Sequence, residues 1–188
     1  MRTRIFLLSS MLCASLAARG AEVPSNPPPT SKLSGHGQYE IQPLKMGAPY
    51  AGQDTNEKAK AKIQEYLDNE VAPLLDTWGK ADKPEDTQTT LVVVPEVQSI
   101  RFISGGKRFW AGTLAGSSSV VLKVTLLEQP SGTVIGEPQF FQRASAQSGA
   151  WTFGAQDNDM LRRIVVLMKG YLEANYSEAV GGPTGHDK

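Results

Sequence analysis

The stretch from Ser118 to Glu128 alternates: Val120, Leu122, Val124 and Leu126 fall on one side, with Lys123 and Thr125 on the other. A strand repeats every two residues, so this pattern describes a strand with one buried and one wetted face. A sheet covered on one side is therefore the frame into which the rest of the chain must fit.

The neighbouring segments extend that frame. Thr89 to Val94 is rich in β-branched residues and is bounded by Pro95. Val97 to Ile103 continues as a second strand, or as the same strand after a bulge. Gln129-Pro130-Ser131-Gly132 supplies a turn, and Thr133 to Ile135 and Gln139 to Ala144 pair back. Tyr39 to Met46 adds a first strand. Two other segments repeat at helical spacing. The first opens at Asp54 with Glu57 three residues on, the pattern of a capping box. It carries Ile63, Tyr66, Leu67, Val71, Leu74, Leu75 and Trp78 as a stripe, with a kink expected at Pro73 and an end at Gly79. The second starts near Asp157 and buries Met160, Ile164, Leu167, Met168, Tyr171 and Leu172, with Leu161 and Val165 widening the stripe. This order predicts an α+β fold: an antiparallel four- to five-stranded meander sheet with two helices packed on one face.

The start of the chain has a different character. Arg2 and Arg4 precede an uncharged run from Ile5 to Ala18, followed by the small residues a signal peptidase prefers. A spanning helix needs ~20 apolar residues, so this run reads as a cleaved export signal over residues 1–21 rather than an anchor. The single cysteine, Cys13, lies inside it, and Leu12 stands where a lipidation motif needs a small residue. Lipid anchoring at Cys13 is therefore not expected, and the mature chain is expected to be thiol-free in the periplasm or medium. Residues 22–36, rich in Pro, Ser and Gly, are expected to form an extended, mobile linker. Residues 37–180 are then one domain and 181–188 a frayed tail. The signal takes three of the 19 basic residues (Arg2, Arg4, Arg19) and none of the 19 acidic ones, leaving a slightly acidic mature chain. Such a balance argues against nucleic-acid binding.

Few residues suggest chemistry. His36 and His186 fall in the expected linker and tail, away from any serine nucleophile they would have to activate. Neither a thiolate nor a His-rich metal motif occurs, and no cofactor or metal is expected. Asp157 and Asp159 are two apart on a helix and read as charges complementing its N-terminus. Asn175-Tyr176-Ser177 matches a glycosylation sequon but falls at a helix end. The enzyme alternative, a small carboxylate-dependent hydrolase or glycan-binding protein, needs two acids facing each other near the aromatic set of Phe140, Phe141, Trp151 and Phe153.

The segment 104–119, SGGKRFWAGTLAGSSS, stands out. Lys107 and Arg108 adjoin Phe109 and Trp110, while Gly112 and Gly116 lie four apart in a stretch without charge. Three readings compete: a hairpin connection whose aromatics tuck onto the core, a docking or self-association surface anchored by Trp110, and a hairpin touching a membrane surface. For the segment itself the hairpin connection with core-packed aromatics is the favoured reading; among functional readings the docking one leads, with an envelope protein as the partner. A homo-oligomer built through an exposed strand edge is a further, structural reading.

The run from Ile100 to Ala144 also resembles the bacterial domain-of-unknown-function family 4410. The resemblance is carried by Arg108 with Gly112, Gly116-Ser117-Ser118, the strand Val120 to Leu126 and the hairpin Ser131 to Gly136, and it spans roughly residues 89–175. It implies an exported envelope protein, often lipid-anchored, with a small α+β domain and no known reaction.

Overall fold

The computed structural model describes residues 24–81, 87–102, 117–144 and 155–186. Two long strands form its centre: β4 (Thr90–Arg101) and β5 (Ser119–Gln129). They pair antiparallel from Thr90↔Gln129 to Arg101↔Ser119, with one register shift between Val97 and Ser99. The two expected pieces of β4 are thus a single strand with an irregularity. β6 (Thr133–Gly136) and β7 (Gln139–Arg143) run antiparallel along β5, end to end. The connecting turn has a cis Gln129–Pro130 bond and Gly132 at φ +70°, a conformation open to glycine.

On the other side of β4 lie the short strands β2 (Gln38–Ile41) and β3 (Lys45–Met46), and both are parallel to it. The sheet is therefore mixed, with six strands in four columns, rather than a pure antiparallel meander. The cause is the connection. A chain that crosses from β3 to β4 through helices, α1 (Asp54–Glu70) and α2 (Ala72–Gly79), returns to enter the sheet in the same direction.

α1 and α2 are the expected first helix, broken rather than kinked. Pro73 sits in the first turn of α2, where a missing N–H costs no helical hydrogen bond. The cap is displaced by one residue: Gln53 is the N-cap, and Glu57 accepts from the Gly52 amide at 2.8 Å. The last helix, α3 (Ala155–Ser177), lies beside α1, and Glu70 ion-pairs with both Arg162 and Lys169.

All three helices bury their stripes against one sheet face, in one continuous cluster. Ile63, Leu67, Met160, Ile164 and Met168 meet Leu91, Val93, Val97, Leu122, Val124 and Leu126 there, each fully buried. The opposite face carries half-buried Val94, Val121, Thr125 and Leu127, with Lys123 paired to Glu137 at 2.5 Å.

The terminal segments depart most from expectation. Residues 24–36, expected as a mobile linker, are packed: Leu33 is 0% exposed, His36 2% and Asn26 6%. β1 (Ser25–Asn26) pairs antiparallel with β8 (Gly182–Pro183) in a small second sheet. Asn26 then grips the outer edge of β7. Its side-chain amide donates to the Gln139 carbonyl at 2.9 Å, and its Oδ1 accepts the Gln139 amide at 2.8 Å. The Thr30 amide donates to Ile135, and the Phe141 amide to Thr184 in the expected tail. An edge strand needs its free backbone groups covered. Prolines 27–29 suit that task, because a segment that cannot donate covers an edge without offering a new one.

Candidate functional site

The residues singled out from the sequence, Lys107, Arg108, Phe109, Trp110, Gly112 and Gly116, lie outside the described residues, as do Trp151, Phe153 and the whole expected signal with Cys13. Their attachment points are described. The segment 103–116 joins the far ends of β4 and β5, and 145–154 joins the end of β7 to α3. These points adjoin. Ser119 pairs with Arg101 on one side and Arg143 on the other, and the Ala144 amide donates to the Ser118 carbonyl at 2.9 Å. Both aromatic segments therefore spring from one end of the sheet.

That end has a definite surface. Val120 faces the helices and is 1% exposed, so Ser119 faces away from them. Residues directly opposite in an antiparallel ladder share a face, which puts Arg101 and Arg143 on the same outer side as Ser119. Both arginines are exposed. The Arg143 guanidinium lies 5.7 Å from the Phe141 ring centroid, and the His186 ring stacks parallel to Phe141 at 4.0 Å. Among the described residues, neither Arg101 nor Arg143 forms an ion pair with an acid. Arg163 nearby is neutralised by Asp159 and also donates to the Arg143 carbonyl at 2.7 Å. The chain enters at this end too, since Thr184, bonded to Phe141, also donates to the Pro24 carbonyl at 2.8 Å.

Sequence reasoning missed Arg101 and Arg143 because 42 positions separate them and only sheet register unites them. The available signal was weak: each closes a strand on its polar phase.

The remaining polar groups of interest serve the fold. His36, expected outside the core, is buried within it. Its Nδ1 donates to the Leu33 carbonyl at 3.0 Å, which fixes the proton on that nitrogen because a carbonyl only accepts. Its Nε2 lies 3.4 Å from Glu128 Oε2. Tyr39 also donates to Leu33, at 3.0 Å, and packs edge-on against Trp78, which stacks on Tyr176 at 4.3 Å. Burial, reinforced by Tyr176, holds the Tyr39 hydroxyl well above the ordinary tyrosine range. The sequon residue Asn175 is 0% exposed and its amide nitrogen donates to Tyr171 and Gly181, so it is engaged and covered. Among the described residues, no group of three His, Cys, Asp or Glu side chains is placed to hold a metal ion, and no helix is long and apolar enough to cross a membrane.

The geometry thus defines an α+β domain with a half-open mixed sheet and a basic, aromatic end. No family model matches the chain, and no curated protein matches it. Solved structures give distant likenesses. The PelC dodecamer from Paraburkholderia phytofirmans aligns at 13% identity over 77% of this chain and 94% of that one, with a TM-score of 0.39. A Xanthomonas campestris protein of domain-of-unknown-function family 330 aligns at 13% over 83% and 91%, with a TM-score of 0.41. A hypothetical protein from Chlamydia trachomatis aligns at 14% over 73% and 98%, with a TM-score of 0.38. At these values the fold description rests on the strand register itself.

Proposed function

We propose that this chain is an exported envelope domain, of the kind family 4410 represents, that binds a protein partner through residues 104–119 with Trp110 as the anchor. It is soluble in the periplasm or medium once its signal is removed. The observation that supports the reading is that the described residues flanking that segment end β4 and β5, the two most extensively paired strands, beside Arg101, Ser119 and Arg143. Binding segments commonly join paired strands of a scaffold, and this one carries Lys107, Arg108, Phe109 and Trp110. Aromatic and arginine side chains are the residues that dominate interface energies.

The test compares the wild-type protein with Trp110→Ala and Arg108→Ala in crosslinked pull-downs from envelope extracts. The expected result is loss of a specific crosslinked partner in both variants, with thermal unfolding unchanged. If both variants fold and keep every partner, the surface has been wrongly assigned.

A further inference from the structure

We infer that the row Arg101–Ser119–Arg143 is a recognition surface for carboxylates, and that it receives an acidic segment of the protein partner. This deepens the reading above and rests on it for the nature of the partner, but its evidence lies in different residues.

Three observations converge. The two arginines sit on one sheet face on either side of Ser119, in direct register, so their Cα atoms are about 10 Å apart, given ~5 Å between strands. Both side chains are exposed, and among the described residues no acid neutralises either one. Other cations nearby are matched: Lys123 pairs with Glu137, and Arg163 with Asp159. An exposed guanidinium is free to take a carboxylate in two parallel hydrogen bonds, and the Ser119 hydroxyl between the two arginines adds a further donor. The stacked Phe141 and His186 rings give the row an apolar flank, and Arg143 already lies beside Phe141. Arginine against aromatic surface is the composition of protein interfaces.

A lipid surface fits less well. Binding to a membrane calls for exposed apolar side chains that dip below the head groups. The large exposed apolar residues described are Val134, Val166 and Val180, and none belongs to this row. Val134 pairs with Leu127 towards the opposite end of β5.

The experiment measures binding of the purified exported protein to a peptide of consecutive glutamates, and in parallel to phosphatidylglycerol vesicles. Wild type is expected to bind the peptide with an affinity that falls as salt rises. The double variant Arg101→Ala/Arg143→Ala is expected to lose about tenfold, the scale of two exposed guanidinium–carboxylate contacts. Lys58→Ala/Lys80→Ala removes the same charge from exposed positions elsewhere, on α1 and just after α2, and is expected to change binding by less than about twofold. Circular dichroism and thermal unfolding confirm that both variants fold. Equal losses in the two variants, or no loss in the arginine variant, overturn the inference. So does binding to the vesicles without binding to the peptide. Trp110→Ala in the same assay separates the two readings. It is expected to keep the peptide while losing the partner, so the carboxylate row and the Trp110 anchor can fail independently.

Discussion

Near the end of α3, Asn175 closes the molecule with four hydrogen bonds. Its amide donates to Tyr171 at 2.7 Å and Gly181 at 3.0 Å, while its Oδ1 accepts the Val180 and Gly181 amides, both at 2.8 Å. This fixes the turn into β8, where Gly181 has φ +78° and an added Cβ would come within 2.4 Å of the Asn26 carbonyl. Asn175→Ala would leave buried backbone donors without partners. The expected cost is about 3 kcal/mol in urea unfolding, since each such orphan costs ~1–3 kcal/mol. One turn back, Tyr171 is 1% exposed and donates to Pro27 at 2.9 Å. Burial raises its pKa from 10.0 to about 12. The sign follows. Between those values the unfolded chain has lost the phenolic proton and the folded chain still holds it, so stability is intact below pH 10 and falls from there towards 12. Unfolding free energies across this range should decline more steeply for wild type than for Tyr171→Phe. Equal slopes would show that this hydroxyl is not the source.

At the scale of elements, local periodicity carried far and then stopped. The alternation of Val120, Leu122, Val124 and Leu126 and the helical stripe through Ile63 and Leu67 are properties of single segments, and each forms the expected element with the expected buried face. The direction of β2 and β3 is a property of the β3–α1–α2–β4 connection, and the pattern within either short strand is silent about it. The Pro-rich stretch shows the same limit. Its composition is that of a linker, yet the β7 edge it covers lies more than a hundred residues away. The candidate site divides likewise: Lys107 to Gly116 drew notice as a contiguous run, whereas Arg101 and Arg143 meet only through Ser119. The edge-covering role is testable. Asn26→Ala removes both bonds to Gln139 and is expected to cost about 2 kcal/mol. Amide exchange should quicken at Gln139 and Phe141 while β4 keeps its protection. Unchanged exchange along β7 would assign Asn26 no part in holding that edge.

At the scale of the whole molecule, the helices, the sheet and the two covered termini form one packed body, and segment 103–116 is attached to it through the ends of β4 and β5. If Phe109 and Trp110 serve as core, replacing 103–116 with a short turn would open a cavity and cost several kcal/mol, as large-to-small core changes do. If the segment serves a partner, the outcome is different. The β4–β5 ladder from Thr90↔Gln129 to Arg101↔Ser119 would remain, and the shorter connection would lower the closure entropy by about 1 kcal/mol or less. Stability is therefore expected to stay within about 1 kcal/mol of wild type. Partner capture should be lost, and peptide binding at Arg101 and Arg143 should survive. A large loss of stability would return Phe109 and Trp110 to the core. A stable protein without its partner would place recognition in the segment, with the arginine row as the part of the surface that the sheet itself supplies.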